Sequence, residues 1–575
     1  MQHKTTTAAS ALPWQPIYDE LQVRVPELDD RPLGHFVEQH ASMRPDSVAL
    51  QYFDQEITYR ELNELSNRFA NGLLSIGVTQ NDVIGIHLPN IPQYAVALVA
   101  CTKIGCAGSG ISPLMTPDEI ANQVKDAGIS VLLSLDQLVA ASVGNIKDVP
   151  GCLRHLIVAD HLAAADPADH ALTGVATHHY LTFMANASPR YAQQTVNGDD
   201  TMMVQYTGGT TGRPKGAELT VRNLMYNPLQ YSAYTPWETG CEVVATAFPL
   251  FHGAGLAFAI ASLRFGARLF LIPDPRDVKH FCQLMQRYPP TRLAAVPSLY
   301  QLLLACPEIA KVDFSALKIA HSGAAPLAGA DRKNIEAVIG PNKLSDLFGM
   351  TETGPVHICN PPMRARPQSV GIPVPGAETR IVDLASGSEE MPTGEAGEIV
   401  TRGPHLMKGY LKLPEESARA MRQWRGQTWM YTGDVGYMDE EGYVYLCDRA
   451  KDMLIVGGYK VFSVEVEDKL QALECIANSA VIGTADEQRP GNDIVNLFVE
   501  LTTAAQQRDR QAVEADILAF CRAHLAAYKV PKVIQIIDQV PVTAVGKVDK
   551  KALRASTSES LKSARPTTRG KNHDK

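Results

Sequence analysis

Short apolar runs of strand length, set between stretches of helical length, restrict the fold of this chain more than any other feature. Val83-Ile-Gly-Ile-His-Leu88 and Ser130-Val-Leu-Leu-Ser134 carry almost no polar alternation, and Gln93 to Gly105 between them reads as a largely apolar helix. The pattern returns at Arg268-Leu-Phe-Leu-Ile272, Thr291-Arg-Leu-Ala-Ala-Val-Pro297 and Ala316-Leu-Lys-Ile-Ala-His-Ser322, with a helix expected over Val278 to Tyr288. Strands apolar on both faces belong in parallel sheets covered on both sides, so the fold class is α/β. At 575 residues the chain is too long for one ordinary core, and two or more domains are expected. From about Ile381 the texture changes to short strands and glycine turns, as in Glu395 to Gly403 and Glu441 to Cys447, which reads as a small β-barrel subdomain.

Toward the N-terminus, Pro13 to Pro32 reads as an extended, proline-punctuated arm laid across the surface. Leu33 to Arg44 has helical spacing and Pro45 to Phe53 alternates like a strand. Leu62, Leu65, Phe69, Leu73 and Leu74 then mark one face of a helix capped by Thr58. Residues 160 to 200 lose periodicity. Their histidines 161, 170, 178 and 179, with His155 before them, read as solvated loop residues rather than metal ligands. The segment 555–575 is rich in Ser, Thr, Lys and Arg and is expected to be disordered.

Composition removes several functions. A formal charge of −9 argues against nucleic acid as a partner, which needs a strongly basic face. The ten cysteines are scattered without a CxxC pair, as in a reducing compartment, and suggest no zinc site. Residues 1–12 lack the apolar core of a signal peptide, and no run approaches the ~18 apolar residues of a membrane span. The expectation is a cytoplasmic protein with at most weak peripheral membrane contact; oligomeric state is not legible.

The chemistry centres on Tyr206-Thr-Gly-Gly-Thr-Thr-Gly-Arg-Pro-Lys215-Gly-Ala, which follows the strand-like Met202-Met-Val-Gln-Tyr206. Gly208, Gly209 and Gly212 let backbone N–H groups turn inward. Thr207, Thr210 and Thr211 add hydroxyls, and Arg213 and Lys215 add charge, making a cradle for the phosphates of ATP. A P-loop needs Gly and Lys adjacent and followed by Ser or Thr; here Arg213 and Pro214 intervene and Gly216 follows.

This loop resembles the phosphate-loop signature of the AMP-forming adenylating enzymes, the superfamily of acyl-CoA synthetases, aryl-CoA ligases, peptide-synthetase adenylation domains and beetle luciferases; bacterial fatty acyl-CoA ligases are the nearest likeness. The likeness covers roughly residues 30 to 554. It implies a large N-terminal domain of two parallel-type sheets over 31–447, including the barrel subdomain and preceded by the arm 1–30. A hinge at 448–452 would lead to a smaller, mobile α+β C-terminal domain over 453–554. Leu347-Phe-Gly-Met-Thr-Glu352 is similar to the block in which Phe348 lies against adenine, Thr351 binds the α-phosphate and Glu352 holds Mg²⁺ with Thr207; Asp346, Gly349 and Met350 belong to the same nucleotide wall. The family commonly has Tyr at 348 and often His at 221, where this chain has Phe and Val. His321-Ser-Gly-Ala-Ala-Pro resembles the adenine-lining turn, with Gly323, Ala324 and Ala325 against the purine. Thr432-Gly-Asp434 implies a ribose-binding carboxylate, met from the other side by Arg449. Lys451 stands at the hinge, and Gly457, Gly458 and Tyr459 look like the loop that enters for the second half-reaction. Pro541 to Gly546 leads to Lys547, the lysine that would cross to the carboxylate and α-phosphate; Lys550 and Lys551 read as solvated.

The implied reaction joins a small carboxylic acid to ATP as acyl-AMP, releasing pyrophosphate, and then passes the acyl group to coenzyme A. Mg²⁺, Lys215 and Lys547 offset the repulsion between two anions. Phe251-His252 stands where amino-acid-activating relatives place an aspartate, so an α-amino acid is disfavoured and His252 is the candidate to guide the substrate carboxylate. Phe248, Val296, Met350 and Val356 offer an apolar wall. A medium- or long-chain fatty acid is the favoured substrate. The alternatives are an aryl acid of hydroxycinnamate or benzoate type, or a non-catalytic ATP-binding scaffold of the same fold.

Overall fold

The computed structural model describes residues 12–160, 172–207, 214–325, 327, 329–457, 459–486, 488–542 and 548–563. Two large sheets organise most of the chain, each a parallel run extended by antiparallel strands, at one edge in the first and at both edges in the second. In one, the strands Thr201–Thr207, Ala107–Gly110, Val83–His87, Ile129–Leu135, His155–Ala159 and Ala176–His179 lie side by side and parallel. Lys215–Thr220 and Gly409–Tyr410 extend it antiparallel at the Thr201–Thr207 edge. In the other, Leu344–Phe348, Ile319–Gly323, Arg292–Ala295, Val243–Thr246, Arg268–Phe270 and Val48–Tyr52 form the parallel run. The hairpin partner Gln55–Thr58 closes one edge, and Ile358–Cys359 with Ile372–Pro373 closes the other.

The helices Pro92–Ile104 and Gly253–Arg264 are apolar on nearly every side because they run between the sheets; Ile84, Leu98, Leu256 and Leu269 belong to one continuous cluster. Helices such as Val278–Arg287 and Pro117–Ala127 cover the other faces through clusters of their own. Tyr59–Ser75 shares the central cluster through Leu62, Phe69 and Leu73 and starts at a reciprocal cap in which Thr58 and Glu61 each bond the other's backbone N–H. Gly105 ends Pro92–Ile104 in the left-handed conformation, at φ +85°, where a side chain would be strained.

The expected barrel is an open sheet. Glu378–Val382, Gly397–Arg402, Gln427–Met438 and Met421–Trp424 pair in that order, and Val444–Arg449 joins Gln427–Met438. The two end strands do not pair with each other: Met421–Trp424 is only four residues long, and Val382 is bridged to Glu390 instead. After residue 452, Ile476–Ala485, Asp493–Leu501 and Val533–Ile537 form a three-stranded sheet. Helices Ser463–Leu470 and Arg510–His524 pack on it through Val466, Leu470, Val513 and Ile517.

Three other expectations change. The arm is anchored: Pro16 lies in the first turn of a short helix, Gln15–Glu20, which buries Trp14, Ile17 and Tyr18 against Ile372 and Tyr443. Within 160–200, Ala176–His179 is an edge strand and Tyr180–Ala185 a helix. The chain does not lose structure at Ala555, because the helix Lys550–Ser563 runs through it. Among the described residues no helix is long and apolar enough to cross a membrane.

Candidate functional site

The phosphate loop is held at its base by a ladder. Thr201–Thr207 and Lys215–Thr220 are antiparallel, with Tyr206 opposite Gly216 and Thr207 opposite Lys215. Gly208, Gly209, Thr210, Thr211 and Gly212 lie outside the described residues. The Lys215 ammonium sits 2.5 Å from Glu416 Oε2 and 5.1 Å from the centre of the Tyr410 ring. Thr207 Oγ1 is 3.5 Å from the Lys215 carbonyl oxygen.

Strand ends of the nine-stranded sheet supply the next group. Gly323 is registered against Leu347, and a Cβ at Gly323 would stand 3.1 Å from the Leu347 carbonyl oxygen. Ala324 adopts φ +66°, unusual for a residue with a Cβ, and turns the chain away from the sheet before Ala325. Asp346 is tied to Arg332 and accepts from Asn360 Nδ2 at 3.1 Å; burial pushes its carboxyl up despite those partners. It fastens the strand rather than facing solvent. Phe348 meets the buried His357 edge-on at 5.2 Å between ring centres. Gly349 has no room for a side chain, since a Cβ there would lie 1.9 Å from the Pro355 carbonyl oxygen.

After Met350, a single helical turn, Thr351–Thr353, places Glu352 in the interior, 5% exposed. Tyr410 Oη donates to Glu352 Oε1 at 2.7 Å. Burial raises the Glu352 pKa above the ordinary carboxylate range; the Tyr410 hydrogen bond and Arg449 oppose the shift, and Asp434 adds to it. Asp434 and Arg449 face each other across the ladder of Gln427–Met438 and Val444–Arg449, with Arg449 Nε 3.0 Å from Asp434 Oδ1. Glu352, Tyr410, Lys215, Asp434 and Arg449 thus form one polar cluster joining the two antiparallel edges.

His252 is the N-cap of Gly253–Arg264, and its Nδ1 accepts from the Ala254 N–H at 3.3 Å. The helix start adjoins the Glu352 turn: a Cβ at Gly253 would stand 3.4 Å from Thr351 Oγ1. Phe248 is buried and stacks on Phe258 at 5.8 Å; Val356 is buried, while Val296 and Met350 are half-buried. His321 packs against Phe258 and Tyr231, and burial holds its imidazole neutral, with the pKa pushed down to about 3.

Gly457 and Tyr459 contact their own C-terminal unit. The Gly457 N–H donates to Asn492 Oδ1 at 2.7 Å, and Tyr459, 61% exposed, stacks on Tyr528 at 4.8 Å. Gly458 and Lys547 lie outside the described residues. Lys550, expected to be solvated, is largely buried: it is 2.8 Å from Glu467 and donates to Ser463 Oγ at 2.6 Å. Tyr410, Glu416 and Lys550 escaped sequence reasoning because their roles rest on partners 58 to 201 residues away.

A buried carboxylate, a guarded lysine and a carboxylate–guanidinium pair around a glycine-rich loop define a nucleotide-handling α/β enzyme. Residues 37–411 match the AMP-binding enzyme family and residues 465–547 its C-terminal domain. The long-chain-fatty-acid–CoA ligase of Bacillus subtilis is 31% identical over 572 residues, covering 96% of this chain and 99% of that protein. The enzyme of the same name from Yersinia pestis is 31% identical over 545 residues, covering 88% and 93%. A crystal structure of an anthranilate CoA ligase in complex with anthranoyl-AMP aligns with a TM-score of 0.80 at 25% identity, covering 94% of this chain and 99% of that one. The chain belongs to the AMP-binding enzymes and is an AMP-forming acyl-CoA synthetase.

Proposed function

We propose that the acid is a medium- or long-chain fatty acid and the acceptor the thiol of coenzyme A, with both half-reactions run at the Glu352–Asp434 cluster. The acid carboxylate attacks the α-phosphorus of ATP and pyrophosphate leaves; the thiol sulfur then attacks the acyl carbonyl and AMP leaves. The observation that carries this reading is the meeting of Lys215, Glu352 and the Asp434–Arg449 pair beside the stems of one glycine-rich loop. Lys215 exchanges Glu416 for a phosphate oxygen, Thr351 meets the α-phosphate, and Asp434 accepts from the ribose hydroxyls. The fatty-acid substrate rests on the relatives' names and on the apolar wall of Phe248, Val296 and Val356.

Glu352, with the Thr207 hydroxyl, would hold Mg²⁺. No group of three or more potential metal ligands occurs among the described residues, and one buried carboxylate completed by phosphate oxygens and water is a donor set that suits this ion. When bound, the ion supplies positive charge to the phosphate oxygens. Lys547 serves the first half-reaction and Gly457, Gly458 and Tyr459 the second, which requires the C-terminal unit to reorient between steps. The enzyme works in the cytoplasm on small molecules rather than nucleic acid.

A second reading, an aryl acid, is favoured by the stacked Phe248–Phe258 pair with His321 beside it and by the likeness to the anthranilate ligase. Pyrophosphate release measured over saturated fatty acids, benzoates and hydroxycinnamates, with and without coenzyme A, separates the two. Turnover confined to the aromatic acids would overturn the fatty-acid assignment.

A further inference from the structure

Toward the N-terminal ends of the parallel strands of the nine-stranded sheet, opposite the strand ends that carry the nucleotide cluster, lies a cleft of about 210 Å³. Arg264, Phe265 and Thr239 of its wall immediately precede the strands Arg268–Phe270 and Val243–Thr246, whereas the nucleotide cluster gathers where Ile319–Gly323 and Leu344–Phe348 end. Three arginines, 31, 44 and 264, line the cleft, against one carboxylate, Asp29. Asp29 takes Arg31 at 2.7 Å and Arg264 Nη2 at 2.9 Å, so one negative charge serves two guanidinium groups. Both guanidiniums flank the Phe36 ring, at 4.9 and 4.2 Å from its centre, which fixes their planes.

Two donor groups remain. The Arg264 side chain is 7% exposed, yet its Nη1 is buried without a hydrogen-bond partner. Leaving such a group unmet costs free energy, which an acceptor bound beside it would recover. Arg44 has no carboxylate partner among the described residues; its Nη1 donates to the Thr239 carbonyl. The bare backbone of Gly240 lets that guanidinium lie close, since a Cβ there would stand 1.6 Å from Arg44 Nη1. The buried His40 is occupied with the Arg264 carbonyl at 2.9 Å and leaves the cleft's charge to the arginines.

We propose that this cleft binds the phosphate group of a small soluble ligand. The three arginines outnumber the single carboxylate by two, and the charge of a phosphate dianion balances that excess. Its tetrahedral oxygens accept from Arg264 Nη1 and Arg44 at once, where a carboxylate would duplicate what Asp29 already does. The volume admits little beyond the phosphate and a few attached carbons.

Inorganic phosphate is the probe, added at matched ionic strength to the full chain with AMP saturating the nucleotide site, and read by thermal unfolding and by ³¹P line broadening. The wild-type protein is expected to show a saturable rise in unfolding temperature. Arg44→Gln and Arg264→Gln are each expected to weaken phosphate about tenfold or more, while Lys215→Gln leaves the response intact. Arg44 is partly solvent-exposed, so its variant remains informative if Arg264→Gln fails to fold. A flat response in the wild type, or a response kept in Arg44→Gln and lost in Lys215→Gln, would overturn the proposal by assigning phosphate to the nucleotide site alone.

Discussion

Replacing Tyr410 by Phe isolates one hydrogen bond at the centre of the candidate site. The ring stays, and with it the face that Lys215 approaches at 5.1 Å; only the hydroxyl 2.7 Å from Glu352 Oε1 is lost. Glu352 is 5% exposed, so its oxygen cannot simply be resolvated. A hydrogen bond to a charged group is worth about 1.5–3 kcal/mol, which corresponds to roughly a ten- to hundredfold loss in the apparent affinity for magnesium nucleotide. The pH dependence follows from the direction of the Glu352 shift. Burial already raises its pKa, and Tyr410 is the first of the influences that hold it down; removing the hydroxyl raises it further. The protonated, metal-incompetent form then extends to higher pH, so the deficit grows as pH falls and narrows as pH rises. Pyrophosphate release is followed against Mg²⁺ concentration at about pH 6 and about pH 8.5. A variant within threefold of wild type at both values, or a deficit independent of pH and of Mg²⁺, would refute the claim that Tyr410 keeps Glu352 ionised.

Lys547→Ala is expected to abolish acyl-AMP formation while leaving thioester formation from supplied acyl-AMP largely intact; equal loss in separate assays of the two steps would contradict the division of labour. Trp14→Ala removes a fully buried ring and should cost about 3–5 kcal/mol, read as a lower denaturant midpoint at constant slope. Lys550→Met strips the buried Glu467 of the cation 2.8 Å away, with an expected loss of about 3 kcal/mol at neutral pH. Because burial raises the Glu467 pKa, the folded state binds its proton more tightly than the unfolded chain does. The variant's deficit should therefore grow as pH rises past the ordinary carboxylate range and shrink in acid, which denaturation at several pH values will reveal.

What could be read from the sequence was whatever local geometry forces on residue type. Gly349 is a glycine because the Pro355 carbonyl fills the space of a side chain, and Thr58 announces a helix because its partner Glu61 is three residues away. The parallel strands were legible because both of their faces are buried. Ala176–His179 was not: as an edge strand of mostly polar residues it gains its place from the ladder to His155–Ala159, which no local periodicity encodes. The arm misled because its prolines suit extended chain and the first turn of a helix equally well, and the choice was made by Tyr443 and Ile372, more than 350 residues on. Tyr410 and Lys550 carry no motif at all; their partners are set by tertiary structure.

The proposed hinge at 448–452 is held by bonds of the same long-range kind. On the side of the large unit the chain is held as far as Ala450, whose N–H donates to the Gly433 carbonyl at 2.9 Å beside the Asp434–Arg449 pair. Beyond Lys451, Asp452 is paired with Arg554 at 2.6 Å and belongs to the C-terminal unit. Lys451 lies between these two sets of bonds, and the Asp452 and Met453 N–H groups donate back across it to the Arg449 carbonyl, each at 2.9 Å; burial lowers the Lys451 ammonium pKa. Asp448 also reaches across this position: it accepts from the Ser463 N–H and from Ser463 Oγ, the latter at 2.6 Å, and Ser463 Oγ in turn accepts from Lys550. The reorientation proposed above, if it turns about Lys451, has to break the Asp448–Ser463 bond, whose strength Lys550 increases by polarising the hydroxyl between them. If the charged link is the hinge we propose, it is latched in this structure, and a lysine about a hundred residues downstream contributes to the free energy needed to open it.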